Sequence, residues 1–326
     1  MAHPLENLVD PVLGRRCVAE GWVSKRADGY LITLPYPAKS IHQSLLADAK
    51  ALGVQNVEIK SDRVSWGLSA LPALPGVKNV IAVTSAKGGV GKSTVAVGLA
   101  KALAREGARV GVLDADVYGP SCALLLGLGD ARAEARGDNL VPVEKDGVQL
   151  MSIALLLPSA QTPVIWRGPM ATSALQQMLT QTLWNDLDYL IVDTPPGTGD
   201  IHLSFIQKAP VSAAIVVTTA EALSILDAEK GIEMLKKLKV PVAGVVENMS
   251  HLRCTHCGEK SAVFQAGAQA DVGAFIERQN VSLLADLPLQ PGVIDDAPLF
   301  LSMAHAVFRR VDALAVHAAP SIEIEQ

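Results

Sequence analysis

The 326-residue chain is poor in cysteine, in aromatic residues and in uninterrupted apolar stretches. Its four cysteines, Cys17, Cys122, Cys254 and Cys257, are too few and too unevenly spaced for the disulfide framework of a secreted protein. No apolar run approaches the roughly 18 residues of a membrane span, and the N-terminus lacks the basic and apolar segments of a secretory signal. We therefore expect a cytoplasmic protein whose thiolates are free to hold metal.

The chain also lacks an excess of positive charge. Its formal net charge is −5 at pH 7, with 28 lysine and arginine residues against 33 aspartate and glutamate residues. Proteins that bind nucleic acid or anionic lipid over a broad face use a basic field, which this composition does not supply. We expect no nucleic-acid partner and no membrane partner.

Two parts of the chain differ in their hydrophobic pattern. Residues 1–71 contain apolar runs at 18–23 and 30–34, joined through Asp28-Gly29, then a helical repeat and a third alternating run. This pattern predicts a small β-β-α-β domain of the α+β type. Residues 72–79, which continue a proline-spaced segment, form the predicted linker.

The larger predicted domain covers residues 80–326, where apolar strands alternate with helical stretches. Strands that are apolar on both faces and separated by helices are typical of a parallel sheet with helices on both sides. We predict an α/β fold with a doubly wound, mostly parallel sheet. The predicted strands are 80–84, 110–113, 189–192, 213–218, 242–246 and 282–287.

The most informative motif follows the first of these strands. The apolar strand runs into a glycine-rich turn and then into a helix, a geometry that wraps backbone N–H groups around phosphate. Lys92 would supply charge to the β- and γ-phosphates of a nucleotide, and the Ser93 hydroxyl would bind Mg²⁺. The turn has Ala86 in place of the usual first glycine, and an additional lysine, Lys87. The predicted nucleotide-binding residues are Gly88, Gly89, Val90, Gly91, Lys92, Ser93 and Thr94.

Carboxylates end two further predicted strands. Asp114 and Asp116 follow the second strand, and Asp193 ends the third, at the edge where open α/β sheets bind their ligands. One acid of the first pair would bind the water shell of Mg²⁺ and the other would orient the attacking water. Asp193 is predicted to hold Mg²⁺ through water. Gly197 and Gly199 would let the following turn move with the γ-phosphate.

Four motifs together resemble the Mrp/ApbC family of iron–sulfur cluster carrier ATPases, which are relatives of the MinD and ParA ATPases. In chain order they are Lys-Gly-Gly-Val-Gly-Lys-Ser-Thr from 87, Asp-Ala-Asp-Val-Tyr-Gly-Pro-Ser from 114, Asp-Thr-Pro-Pro-Gly-Thr-Gly-Asp from 193 and Glu-Asn-Met-Ser from 247. The resemblance covers the chain from about residue 77. Residues 1–71 also resemble the small domain that opens many bacterial Mrp proteins.

The resemblance implies a P-loop ATPase that acts as a homodimer. Lys87 would reach the nucleotide of the partner subunit and act there as an arginine finger does. Asp116 would orient the attacking water, so that Lys87, Lys92 and Asp116 are the predicted catalytic residues. Asn248 would contact the adenine edge, and the alternative for Asn248 is a polar residue that ends a strand.

Cys254 and Cys257 form a Cys-x-x-Cys turn followed by glycine. Soft thiolates select zinc or iron–sulfur clusters, and two thiolates leave a tetrahedral site incomplete. Two chains around a symmetry axis would supply four. The resemblance implies a [4Fe–4S] cluster that bridges the two subunits, with a cluster-assembly scaffold as donor and apo iron–sulfur proteins as recipients. A structural zinc knuckle or an incidental cysteine pair are the alternatives.

Two other functions are open on the sequence. A MinD- or ParA-like positioning ATPase would act on membrane or DNA, and the apolar helical face at 300–311, beside Arg309 and Arg310, is its only candidate surface. The acidic residues at 321–326 favour a helix packed on the sheet instead. A reductase like the nitrogenase iron protein would draw its cysteines from separate loops, whereas Cys254 and Cys257 share one turn.

Overall fold

The computed structural model describes residues 3–157, 168–254, 256–264 and 271–318, and begins with a small sheet. In this sheet β1 (Val23–Arg26) pairs antiparallel with β2 (Gly29–Leu34), α1 (His42–Ala51) follows, and β3 (Val57–Ser61) pairs parallel with β2. The first strand begins at Val23, later than expected, because residues 16–22 form hydrogen-bonded turns. The division of the chain at residues 71 and 80 stays a prediction.

The rest of the described chain forms a larger α/β unit. Its elements are β4 (Val77–Thr84), α2 (Lys92–Arg105), β5 (Val110–Asp114), α3 (Cys122–Leu125), β6 (Glu134–Arg136), β7 (Asn139–Val141), β8 (Val143–Lys145), β9 (Val148–Ser152), α4 (Ile153–Leu156), α5 (Gly168–Gln181), β10 (Leu187–Asp193), α6 (Asp200–Lys208), β11 (Ala213–Thr218), α7 (Ala222–Lys237), β12 (Val242–Glu247), β13 (His251–Arg253), β14 (Lys260–Ala262), α8 (Val272–Gln279), β15 (Leu283–Asp286) and α9 (Ala297–Ala318).

Eight strands of the described chain form the large sheet, in the order β15-β12-β11-β4-β10-β5-β9-β8. Neighbouring strands pair in parallel except β8, which is antiparallel at one edge. The chain winds outward from β4 in both directions, which confirms the predicted doubly wound fold. β9 is absent from the predicted strands, because Gln149 interrupts its apolar run. The Gln149 side chain is buried and accepts a hydrogen bond from the Asn185 N–H at 3.1 Å.

The sheet order places the predicted ligand groups side by side. β4, which leads into the glycine-rich turn, pairs with β10, and β10 pairs with β5. Asp193 at the end of β10 lies in register with Asp114 at the end of β5 and with Val83 of β4. The carboxyl ends of three neighbouring strands therefore bring both carboxylates next to the turn.

The apolar face of α9 is buried in the molecule. Its members pack against α2, β12 and β15, and each is at most 4% exposed: Phe300, Met303, Val307, Phe308 and Val311. In the described fold this face is a core surface and does not face lipid. No helix of the described residues is both long and apolar enough to cross a bilayer. The acidic residues 321–326 lie outside the described residues.

The small sheet and the large unit share one buried cluster. Tyr36 is 2% exposed, its ring centroid lies 5.3 Å from that of Phe308, and its hydroxyl donates to the buried carboxylate of Asp10. The N–H and hydroxyl of Ser40 both donate to Glu106, directly after α2, at 2.9 and 2.8 Å. These contacts hold the small sheet against the helix that starts at the glycine-rich turn.

Candidate functional site

The glycine-rich turn between β4 and α2 opens onto a cavity of about 350 Å³. Gly89 and Gly91 have φ angles of +81° and +82°, a left-handed conformation that side chains disfavour. Gly91 directly precedes α2, so the unpaired N–H groups at the start of that helix face the cavity. Backbone N–H groups and the positive end of a helix attract anions. The turn therefore has the geometry of a phosphate loop.

Asp193 is fully buried and accepts three donors, two of them from Lys92 and Ser93, which line this cavity. The Lys92 ammonium pairs with one carboxylate oxygen, and the Ser93 hydroxyl donates to the other at 2.5 Å. The buried Cys122 thiol also donates to that second oxygen, at 3.4 Å. Lys92, predicted to bind phosphate, and Ser93, predicted to bind Mg²⁺, are thus both held at one buried carboxylate beside the cavity.

Asp114 lies beside Asp193 and is fully buried. The Ser152 hydroxyl and the Cys122 N–H donate to the same Asp114 oxygen, both at 3.1 Å. Burial, and after it the negative charge of Asp193, raises the pKa of Asp114 to about 7. A divalent cation would relieve this repulsion. The two carboxylates and the Ser93 hydroxyl are hard oxygen donors, which Mg²⁺ prefers, so the residues fit the predicted ion.

The two other predicted catalytic residues differ in position. Asp116 lines the cavity and accepts a hydrogen bond from the Gly119 N–H at 3.2 Å. Lys87 forms an ion pair with Glu221, just before α7, with 2.5 Å between Nζ and Oε2. The Lys87 ammonium lowers the pKa of Glu221. Within one chain Lys87 therefore pairs with its own Glu221, a residue that sequence reasoning missed although it closely follows a predicted strand.

Asn248 contacts the phosphate loop itself. Its side-chain amide donates to the Val90 carbonyl at 2.8 Å, and the residue is 4% exposed. The close approach requires glycine at position 91, since a Cβ atom there would lie 2.1 Å from Nδ2 of Asn248. A contact between Asn248 and an adenine ring stays a prediction. The observed contact shows that the Asn248 side chain stabilises the loop through the Val90 carbonyl.

Sequence reasoning missed His202, which is 2% exposed. Its Nδ1 bonds to the Gly197 carbonyl, and its Nε2 lies 3.2 Å from the Thr84 hydroxyl of β4. The Gly197 N–H donates to the Ser85 carbonyl at 2.9 Å. Burial lowers the pKa of His202, which favours the neutral ring. The ring ties the turn after Asp193 to β4, and a single histidine in a helix gives no sequence signal for that contact.

Cys254 and Cys257 lie between β13 and β14 and are both exposed. The Gly258 N–H donates to the Cys254 carbonyl, and the Cys254 N–H donates to the Glu259 carbonyl, each at 2.9 Å. The backbone N–H groups of Cys257 and His256 lower the pKa of the Cys254 thiol. A lower pKa favours the thiolate, which is the form that binds metal. We call residues 251–254 and 256–262, with these thiols, the cysteine hairpin.

The two remaining thiols are buried. Cys17 lies in the core shared by the two units, and Cys122 lies beside Asp193. Among the described residues, one chain therefore brings two exposed thiols together and no more.

Residues 76–304 match the ParA family described as the NUBPL iron-transfer P-loop NTPase. The chain belongs to this family. The NUBPL-family match covers the phosphate loop, both carboxylates and the cysteine hairpin. The predicted resemblance and the P-loop NTPase fold are confirmed.

Curated relatives of this family member carry the name iron–sulfur cluster carrier protein. The Pseudomonas fragi protein is 50% identical over 229 residues, which are 70% of this chain and 78% of the relative. The Deinococcus radiodurans protein is 40% identical over an alignment of 328 positions, gaps included, which covers 98% of this chain and 91% of the relative. The Escherichia coli protein is 48% identical over 226 residues, 69% of this chain, and the match spans only 60% of that relative.

Solved structures agree with the fold. A nucleotide-binding protein from Archaeoglobus fulgidus in complex with ADP is 31% identical, with 77% of this chain and 96% of that chain covered and a TM-score of 0.59. The cell division ATPase MinD from Pyrococcus furiosus is 20% identical over 71% of this chain and 98% of its own, with a TM-score of 0.50. The MinD likeness concerns the fold alone.

Proposed function

We propose that the protein is an ATP-hydrolysing carrier that receives an iron–sulfur cluster on Cys254 and Cys257 and passes it to apo-proteins. The exposed Cys-x-x-Cys turn carries the proposal, because it occurs in a chain with a full phosphate loop. Membership of an iron-transfer NTPase family and relatives named as cluster carriers support it.

The phosphate loop would bind ATP through the N–H groups of residues 88–94 and the Lys92 ammonium. Ser93, Asp114 and Asp193 would hold Mg²⁺, which neutralises charge on the phosphates. Lys92 would move from Asp193 to the nucleotide, since its ammonium has only to turn within the same cavity. Asp116 lines that cavity and would orient the water that attacks the γ-phosphate.

The number of thiolate ligands and the position of Lys87 support the proposed homodimer. A [4Fe–4S] cluster takes four thiolates, and Cys254 and Cys257 of two chains supply four. In one chain Lys87 is paired with Glu221. On dimerisation we propose that Lys87 leaves this half-buried pair and reaches the partner's nucleotide. Hydrolysis would then depend on the contact that also assembles the cluster site.

The carrier acts on cargo, so its partners follow from cluster chemistry. We propose a cluster-assembly scaffold as donor and apo iron–sulfur proteins as recipients, in a reducing cytoplasm where the thiols stay free. A positioning ATPase on membrane or DNA is less well supported, because the apolar face of α9 is buried and the net charge is −5.

The test is cluster transfer from the reconstituted full chain. Wild type, Cys254→Ser and Cys17→Ala are loaded anaerobically with iron and sulfide and mixed with an apo-enzyme whose activity needs a cluster. Wild type and Cys17→Ala should activate the enzyme, because Cys17 is buried in the core and is not part of the cysteine hairpin. Cys254→Ser should not. Equal activation by Cys254→Ser would refute the assignment of the thiols.

A further inference from the structure

A short segment joins the phosphate loop to the cysteine hairpin. β12 ends at Glu247, Asn248 donates to the loop carbonyl of Val90, and Cys254 follows six residues later. Six residues span at most about 20 Å when fully extended, and this segment is bent. We call residues 248–254 the tether, a short segment that limits how far Cys254 can lie from the phosphate loop.

The tether touches the phosphate loop through one peptide unit. The Val90 carbonyl accepts the Asn248 amide, and the N–H of the same peptide belongs to Gly91, which lines the cavity. A trans peptide is planar, with C=O and N–H on opposite sides. The carbonyl faces Asn248, so the Gly91 N–H points away from Asn248. A phosphate that bonds to this N–H also polarises the Val90 carbonyl, which strengthens its hydrogen bond to the Asn248 amide.

The next residue shows that the tether is fixed. Met249 has φ of +54°, in the left-handed region that residues with side chains rarely adopt. Hydrogen bonds on both sides impose this conformation. The Asn248 N–H donates to the Thr218 carbonyl at 2.8 Å, and the Ser250 N–H donates to the Leu287 carbonyl at 2.9 Å. Backbone strain of this kind persists only where its surroundings determine it.

The far end of the tether is the base of the cysteine hairpin. The Ser250 hydroxyl donates to the Leu287 carbonyl at 3.1 Å, and the His251 carbonyl accepts the Leu289 N–H at 2.8 Å. β13 starts at His251, with no loop in between. A change in the backbone orientation of Asn248 is therefore transmitted to Cys254 through hydrogen-bonded backbone.

We propose that Asn248 is a positioning residue that couples occupation of the phosphate loop to the placement of the two exposed thiols. The proposal rests on nucleotide binding by the loop and not on cluster transfer. The coupling acts within one chain, before any partner docks. By linkage, ligation of the thiols changes nucleotide affinity by the same factor as the nucleotide changes ligation.

The test measures thiol reactivity of the full apo chain with and without saturating Mg·ADP. ADP is used at protein concentrations where sedimentation shows a monomer, so that contact between subunits does not shield the thiols. The probe is 5,5′-dithiobis(2-nitrobenzoate). Cys17 and Cys122 are buried, so the fast phase reports Cys254 and Cys257. Saturation is checked by calorimetry for every variant.

In wild type we expect ADP to change the rate of the fast phase about three- to tenfold, the ratio that the net free energy of one hydrogen bond permits. In Asn248→Ala the rates with and without ADP should agree within about twofold. Asn248→Asp keeps the shape but cannot donate to the Val90 carbonyl, and serves if the alanine variant does not fold.

Asn79→Ala is the matched control. Asn79 is a buried asparagine, 1% exposed, whose amide bonds to the Val64 and Asp188 carbonyls at the opposite end of the sheet. It should retain the full ADP effect. The inference is overturned if saturating ADP does not change the rate of the fast phase in wild type, or if ADP changes that rate in both Asn248 variants as much as in wild type. Failure of wild type to bind ADP would overturn the proposed function as well.

Discussion

Replacing Asp114 with asparagine should stabilise the apo protein while removing a proposed ligand for Mg²⁺. The folded state raises the pKa of Asp114 from its ordinary value of 3.8 to about 7, because the carboxyl is buried and lies beside Asp193. The stability that this group contributes is complete below pH 3.8 and is lost as the pH rises through about 7. At roughly 1.4 kcal/mol per pH unit, the whole effect is about 4 kcal/mol. Asparagine keeps an oxygen for the Ser152 and Cys122 donors and carries no charge.

The assay is urea unfolding in the presence of a chelator, from pH 5 to pH 8. The free energy of unfolding of Asp114→Asn minus that of wild type should widen by about 2–3 kcal/mol over this range, with the variant more stable at pH 8. Added Mg²⁺ with nucleotide should stabilise wild type alone. Parallel pH profiles for the two proteins would refute the reasoning.

Asp188→Asn is the matched control, with the opposite sign. Asp188 is also buried, and burial alone would raise its pKa. The backbone and side-chain donors of Arg109, and then Lys78, outweigh burial and lower the pKa of Asp188. Its contribution is therefore present above its ordinary pKa and is lost on acidification. Asp188→Asn should destabilise the protein at neutral pH, where Asp114→Asn stabilises it.

Two further predictions concern the dimer and the core. Lys87→Ala should bind ATP but hydrolyse it about 10³–10⁵-fold more slowly, as loss of an arginine finger does. Lys230→Ala, which breaks the exposed ion pair of Lys230 with Asp227, should hydrolyse ATP normally. Unchanged turnover in Lys87→Ala would argue against action across the dimer. Phe308→Ala should lower the free energy of unfolding, measured in urea, by about 3–5 kcal/mol, because the Phe308 ring packs between Tyr36 and Tyr189. Leu124→Ala, on the surface, should lower it by less than ~0.5 kcal/mol. Equal losses would contradict the shared core.

The sequence is sufficient for the parts of the site that are local in the chain. The phosphate loop, Asp114 and Asp193 each follow an apolar strand, and parallel strands end at a common edge. Their position could therefore be predicted from the strands and the motifs alone. The register between β5 and β10 then places the two carboxylates side by side.

The contacts that the sequence does not reveal join distant residues. Lys87 and Glu221 are 134 residues apart, and Asn248 and Val90 are 158 apart, so no local pattern reports either pair. The motifs predict that Lys87 and Asn248 lie near a nucleotide, but they do not predict which residue each one contacts within its own chain. β9 is missed for a different reason, because Gln149 is satisfied by a tertiary hydrogen bond that periodicity does not register.

The most direct measurement of the central claim is the iron content of the reconstituted protein together with its mass in solution. The account predicts a dimer with about two iron atoms per chain, as one [4Fe–4S] cluster shared by two subunits requires. Cys254→Ser should remain free of iron. A monomer that holds a full cluster, or iron in Cys254→Ser at the level of wild type, would contradict the account.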